Sequence, residues 1–423
     1  MAELVFDGEI DSLTPSQKDL ICKVLDKRKL KAKKIHIKTL GQAGDNYIAD
    51  VKNIIAELDN GESFKIVAKV APTNEMAREA LGTAMLFNNE CVVYNDILPK
   101  FIDIQRAAGL SPQDFFKYPE CYGTLKEPLN EILLLEDLTV SNYKMLDRFT
   151  PLTNESIRLV LKNLAILHSL SYVFKKNDPD TFDSYTNKFE DYYSVLSTKP
   201  DTLQYFSSVE ADAISILESE EYKKAIRGTL SELSKHSAKI LKYERNSRYS
   251  VIIHGDAWTN NMMFRFEGSN PVGAILIDYQ LCKVGSPVND LQYMIFNCSD
   301  YNTRHQYFYE WIDYYHSELD KSLSNFGMKA NYVYPRDQLD ADLRRYSKFY
   351  LGTIIMSHSM LIRKTEDAAK IKDVIVNDSS DTEEIEQLTA SLQISNLDSD
   401  SIARFKGKIE ELVQSYRELG FLE

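Results

Sequence analysis

The stretch VIIHGDAWTNNMMFRFEGSNPVGAILIDYQ, from Val251 to Gln280, constrains this chain more than any other. Two apolar runs flank the turn-rich EGSNPV, the pattern of an antiparallel hairpin. Strands are predicted over Met262 to Phe266 and Gly273 to Ile277. With Phe266 opposite Gly273, Asn261 faces Asp278, and facing residues of such a pair lie ~4.5–5.5 Å apart. An amide oxygen and a carboxylate at that spacing suit one hard cation, magnesium, which prefers oxygen ligands and is often shared with phosphates. Asp256 precedes Asn261 by five residues, in a loop after the strand SVII. Folded back, its carboxylate would overlook the metal and accept a proton from an attacking hydroxyl. Aspartate and asparagine are common turn residues, so each alone says little. Together they describe a phosphoryl-transfer site.

Such a site needs a nucleotide cradle. GQAGDNY near the start carries Gly41, Gly44 and Asn46 between two strand-like runs. Glycines there would let backbone amides approach phosphate oxygens, although a plain hairpin turn has the same composition. Lys69, in KIVAKVAP, is an inward lysine of an alternating strand, placed to pair with the α- and β-phosphates. Glu90, in FNNECVVY on the following helix, could hold it by an ion pair. No GxxxxGK[ST] segment occurs, which argues against a P-loop.

Elsewhere the texture divides the chain. SLTPSQKDL opens a helix over 13–29, with Thr14 as cap and Pro15 at the first helical position. Asn60-Gly61 marks a tight hairpin before a strand from Phe64 to Val70. NEMAREALGTAMLFNNECVVYNDILPKF reads as a helix stopped by Pro99. EILLLEDL is a buried strand, and NESIRLVLKNLAILHSLSYVF puts Ile157, Val160, Leu161, Leu164, Leu167 and His168 on one helical face. The expected fold is α+β: a β-rich first part over residues 1–137, then a mostly helical part over 138–423 with one embedded hairpin. The polar, acidic run from Val374 to Gln387 reads as a surface loop.

Composition narrows the class. With 43% hydrophobic residues the chain can build a large core, and a net charge of −13 argues against a nucleic-acid partner. The basic run from Lys27 to Lys38 is read as a solvated helix end and edge strand, with a phosphate or membrane contact as the minor alternative. Five scattered cysteines with no CxxC pair speak against disulfides or a structural zinc. No uncharged apolar run approaches ~20 residues, so no membrane span is expected. The start is acidic and lacks a signal-type core, and a cytoplasmic protein is inferred.

HGDAWTNN with IDYQ resembles the choline/aminoglycoside-kinase-like superfamily, and more narrowly the ecdysteroid-kinase-like, or CHK-kinase-like, family. The resemblance extends over most of the chain, through GQAGDNY, VAKVAP, FNNECVVYNDILP, ILLLEDL, LAILHSLS and GSPVNDLQYM. It implies a two-lobed protein-kinase-like fold using ATP and Mg2+. It implies Asp256 as catalytic base, Asn261 and Asp278 as magnesium ligands, and Lys69 with Glu90 as the phosphate-contacting pair. Glu136, Asp137 and Leu138 match the hinge that meets adenine. His254 is implied as support for the loop, and Asp290 as a helix cap that buttresses it. Trp258 either lines the acceptor pocket or packs the loop. Ala257 stands where leucine is usual and Tyr279 where phenylalanine or tryptophan is usual; neither removes an essential group.

The implied activity is phosphorylation of a small-molecule hydroxyl, of an ecdysteroid or a related steroid or xenobiotic alcohol. A protein kinase and a nucleotide-binding protein without catalysis stay open as alternatives. Against the former, no HRD or APE segment occurs, and eight residues separate Asp278 from Ser286. Aromatic-rich helical segments supply Tyr309, Trp311, Tyr346 and Tyr350 as candidates for an apolar acceptor pocket, although ordinary packing explains each. Acceptor identity and oligomeric state are not legible.

Overall fold

Alternation in the first strands decides how the N-terminal part is built. The computed structural model describes residues 4–41, 49–196, 199–245, 247–369 and 393–422. Strands β1 (Val5–Gly8), β2 (Ala32–Thr39), β3 (Asp50–Leu58), β4 (Ser63–Val70), β5 (Cys121–Leu125) and β6 (Ile132–Glu136) form one sheet in the order β1-β2-β3-β4-β6-β5. Only β1 runs parallel to its neighbour. Helix α1 (Pro15–Lys27) covers one face, where Ile21, Val24 and Leu25 meet Ile35, Ile37, Ile54, Ile66, Ala68, Ile132 and Leu134. Burying each such aliphatic side chain contributes about 1.5–3 kcal/mol. The odd positions of β6, Leu133 and Leu135, join the main core on the other face. Both faces are covered, which is why β6 reads as an unbroken apolar run. In β4 the same alternation sends Ile66 and Ala68 to α1 and leaves Val67 and Lys69 on the opposite face.

Helices α2 (Glu75–Leu81), α3 (Thr83–Val92) and α4 (Leu98–Ala107) follow β4. Pro99 does not stop the helical run as expected. Residues Val93–Ile97 form a π turn, and Leu98 N–H reaches back to Val93 O. The extra residue puts Pro99 in the first turn of α4, where its missing N–H costs nothing. A second correction concerns the basic run: β2 is not an edge strand, because β1 pairs along it. Lys34 and His36 there both approach Asp7 of β1.

The remainder is largely helical. Its spine is α5 (Asn154–Asn177), with the six expected residues buried, followed by α6 (Pro179–Thr186), α7 (Tyr192–Leu196), α8 (Pro200–Ile216), α9 (Glu220–Ile226) and α10 (Leu233–Arg245). After the hairpin region come α11 (Val288–Cys298), α12 (Tyr301–Ser324), α13 (Ala330–Val333), α14 (Arg336–Leu361) and α15 (Ser399–Glu418). By length and hydropathy α5 could cross a membrane, a segment the sequence reading passed over, but 72% of its apolar window is buried inside the protein. The acidic run from Val374 to Gln387 lies outside the described residues.

Between α10 and α11 sit two small ribbons. Strand β7 (Val251–Ile253) pairs with β10 (Lys283–Gly285), and β8 (Met262–Glu267) with β9 (Asn270–Leu276). The hairpin exists, but its register differs by one from expectation: Met262 faces Leu276, Arg265 faces Gly273, and Phe266 faces Pro271. The strands run almost to the tight turn, and a bulge absorbs the extra residue. Asn261 therefore lies opposite Ile277, whose N–H it accepts at 3.0 Å, and not opposite Asp278.

Thr14 caps α1 in a reciprocal box with Gln17 and also donates to Asn130 Oδ1 at 2.6 Å. Replacing Thr14 by alanine should cost about 1–2 kcal/mol. Faster amide hydrogen exchange confined to α1 and the adjoining sheet, with turnover unaffected, is the expected readout.

Candidate active site

The left-handed conformation of Asp278, φ 64°, repairs the register mismatch. At the end of β9 a regular strand would carry residues 277 and 278 to opposite faces. The positive φ turns the Asp278 side chain into the cleft beneath the sheet, where Asn261 also lies. Asn261 ends a 3₁₀ turn, Thr259–Asn261, that closes the loop after β7. Its Nδ2 donates to Asp256 O at 3.0 Å and to Asp256 Oδ2 at 2.8 Å. The side-chain oxygen of Asn261 is thus the atom available as a ligand. Asp256, Asn261 and Asp278 converge by a route different from the one read in the sequence.

Lys69 joins this group from above. Its ammonium donates to Glu90 Oε2 at 2.6 Å, Asp278 Oδ1 at 2.7 Å and Gln280 Oε1 at 3.1 Å. Burial alone would lower the Lys69 pKa, but Asp278 and Glu90 outweigh it and hold it above its ordinary value. Glu90 is pushed up to about 7, by burial first, against the pull of Lys69. Its second oxygen accepts the Tyr279 N–H at 3.2 Å, so α3 grips the backbone immediately after Asp278.

The loop itself is held from behind. Asp290 accepts the N–H groups of His254 and Gly255, both at 2.8 Å, and bonds His168 Nε2 at 3.0 Å. Burial would raise its pKa, but His168 and these amides keep it below the usual carboxylate value. It is not a helix cap. Pro287 occupies that position in α11, and Asp290 is the third helical residue, from which its carboxylate reaches the loop. His254 is fully buried, with its pKa lowered by burial. Its Nε2 donates to Ile277 O at 2.9 Å, which leaves Nδ1 to accept the Asp256 N–H at 3.3 Å. Burial, and next the charge of Asp278, raise Asp256 to about 8, against hydrogen bonds from Tyr293 and Asn261.

The cleft has a volume of about 350 Å³. Val51, Val67, Leu135, Met145, Met263 and Ile277 supply apolar walls, and Lys69, Glu90, Asn261 and Asp278 close its polar end. Gly41, Glu136, Asp137 and Leu138 line it as well. The Asp137 carboxylate is engaged with Thr139, from whose N–H and hydroxyl it accepts. The Leu138 N–H donates to no described group. Gly44 and Asn46 lie outside the described residues. Among the described residues no cluster of three or more His, Cys, Asp or Glu could cage a metal. One carboxylate and one amide suit an ion that keeps its waters and takes further oxygens from phosphate, which is the habit of magnesium.

Of the five acceptor candidates, Trp258 lines a second cavity, of about 240 Å³, beside the loop. Tyr309 is 59% exposed on α12. Trp311 and Tyr346 are wholly buried, and Trp311 Nε1 donates to Asn154. Tyr350 packs edge-on against Phe349. Trp311, Tyr346 and Tyr350 belong to the core packing of α12 and α14, and Tyr309 faces solvent. Two site residues escaped the sequence reading, Gln280 and Tyr293. Gln280 is a polar residue in an apolar stretch two positions after Asp278. Tyr293 and Asn297 recur with Asp290 on one face of α11, a pattern open to detection.

A model of the ecdysteroid kinase-like family matches residues 43–328, about two thirds of the chain. Solved structures that match include an ethanolamine kinase from Plasmodium vivax, at 14% identity and TM-score 0.40, over 93% of this chain and 91% of that one. A GDP complex of an aminoglycoside 2'-phosphotransferase matches at 13% identity and TM-score 0.40, over 94% and 98%. A microcompartment-associated aminopropanol kinase matches at 10% and 0.43, over 95% and 99%. No curated protein matches the chain.

Gly255 tests the loop geometry. It has φ 83°, and a Cβ there would lie 2.2 Å from Leu281 O. Gly255→Ala should force the loop off Asp290 and lower stability by roughly 1–3 kcal/mol or more. Thermal unfolding and the protection of the 254–256 amides would report both effects.

Proposed function

The chain belongs to the ecdysteroid kinase-like family, and from that premise we propose an ATP-dependent small-molecule kinase. It transfers the γ-phosphoryl group to an alcohol hydroxyl, of an ecdysteroid or a related steroid or xenobiotic alcohol. The observation that carries this reading is the convergence of Lys69 from β4, Asp278 from the end of β9, and Asn261 with its bonded neighbour Asp256 from the loop after β7: three separate segments at one cleft end. We place the lobe boundary between residues 137 and 138, and the enzyme in the cytoplasm.

In this mechanism adenine lies between the apolar walls and meets the Glu136–Leu138 backbone, where the unengaged Leu138 N–H supplies a donor. Lys69, kept charged and aimed by Glu90, meets the nucleotide phosphates, with Gly41 at the cleft edge. Asn261 and Asp278 would hold magnesium, which supplies charge neutralisation on the phosphates. Asp256 orients the acceptor hydroxyl and takes its proton. Its elevated pKa brings it toward neutral pH, where a general base is most effective. His254 and Asp290 fix the loop so that Asp256 need not reorganise. A protein substrate is disfavoured because the segment after Asp278 is short and β10 is pinned to β7.

Asp256→Asn and Asp278→Ala should each lower ATP turnover by about 10²–10³-fold, the scale of losing one electrostatic contributor, with the circular-dichroism spectrum of the folded protein retained. Chelation should abolish turnover and added Mg2+ restore it. Turnover that survives both substitutions would reject the assignment. Labelled ATP with a panel of steroid, glucoside and amino-alcohol acceptors would test the substrate class.

A further inference from the structure

The second cavity lies where α11, α14 and α15 meet the catalytic loop, and Trp258 forms part of its wall. It is linked to Asp256 by helix geometry. Asp256 accepts a hydrogen bond from Tyr293, and Tyr293 bonds Ser357 at 3.1 Å. Asn297 and Leu361, each four residues further along α11 and α14, line the cavity. One helical turn is ~5.4 Å, so the cavity begins about one turn along from the Tyr293–Ser357 pair.

Its lining is cationic and apolar. Arg148 and Arg404 flank the Phe149 ring at 4.9 and 5.1 Å, and Lys408 lies deeper. Glu411 is already shared by Lys408 at 2.8 Å and Arg304 at 3.2 Å. Asp300 caps α12 through the Thr303 N–H. Arg404 donates to Ile362 O and Ser401 Oγ and makes no ion pair among the described residues. His358 Nε2 is buried with no hydrogen-bond partner. Burial, Lys408 and Arg304 keep that imidazole neutral. A guanidinium with no acidic partner among the described residues and an unpaired buried imidazole nitrogen in one cavity suit a ligand with polar atoms and negative charge.

We propose that this cavity is a binding site for the anionic group of a small organic ligand with an apolar body. The ligand packs on Trp258 and Phe149 and places its carboxylate, sulfate or phosphate toward Arg404 and His358. Its contact with Trp258 couples occupancy to the loop carrying Asp256. That coupling rests on the phosphoryl-transfer reading, whereas the binding does not. The anion could be part of the acceptor itself or belong to a separate effector.

Calorimetry with 4-(hydroxymethyl)benzoate and its uncharged isostere 4-(hydroxymethyl)benzamide separates these cases. The carboxylate should bind about tenfold more tightly, the scale of one charge-assisted hydrogen bond. Arg404→Gln should erase that preference and Arg404→Lys should keep much of it, with ATP affinity unchanged in both. Phosphorylation of the carboxylate's hydroxyl would identify it as acceptor. Binding without phosphorylation, with altered turnover of a neutral alcohol, would identify an effector. Equal affinity for the two probes, or a preference that survives Arg404→Gln, would overturn the proposal. Loss of ATP turnover in Asp256→Asn is scored separately, so the two readings can fail independently.

Discussion

One buried ammonium organises the centre of this molecule. Lys69 comes from the sheet, Glu90 from the helix behind it and Asp278 from the end of the hairpin, and all three meet within hydrogen-bond distance. Two carboxylates around one ammonium leave a net negative cluster, which burial makes costly unless every group is bonded. Gln280 and the Tyr279 N–H provide the remaining bonds. Breaking such a pair from one side costs about 3–5 kcal/mol, because the surviving charge is stranded. The same cluster is where a polyphosphate and a dication would exchange charge with the protein, so the joint between the two halves of the fold coincides with the proposed reaction centre.

Around that cluster the structure fixes atoms by indirect support. Asp256 is positioned by Asn261 from below and by Tyr293 from the side. The loop is positioned by Asp290, which His168 positions in turn, and Tyr315 bonds the far nitrogen of His168 at 2.8 Å. The links are buried or half-buried, and each side chain bonds the next. A network satisfied in this way rigidifies, because no member can move without exposing an unpaired neighbour.

Much of this was legible in the sequence, for physical reasons. Period-two alternation in β4 separates Lys69 from Ile66 and Ala68, and a lysine buried at that end of the strand needs acidic partners. The α1 cap and the apolar face of α5 follow from local rules that tertiary contacts do not override. The hairpin register did not, because a bulge near Phe266 absorbs one residue and a left-handed backbone at Asp278 restores the convergence. Both have only weak local signatures: Pro271 and Gly273 flank the extra residue Val272, and aspartate visits the left-handed region more readily than most residues. Pro99 misled for a similar reason, since a π turn supplies the one residue that moves it into a permitted position. Aromatic spacing in α12 and α14 misled because core packing and pocket lining follow the same period.

The left-handed backbone at Asp278 has a consequence for the whole chain. A residue with a Cβ pays roughly 1–2 kcal/mol for that conformation, and glycine would not. A strained backbone therefore sits on the carboxylate the cleft requires, where the local conformation alone would favour glycine. Local conformation and chemical competence pull in opposite directions at this position, and the bond to Lys69 is what outweighs the strain and keeps a carboxylate there.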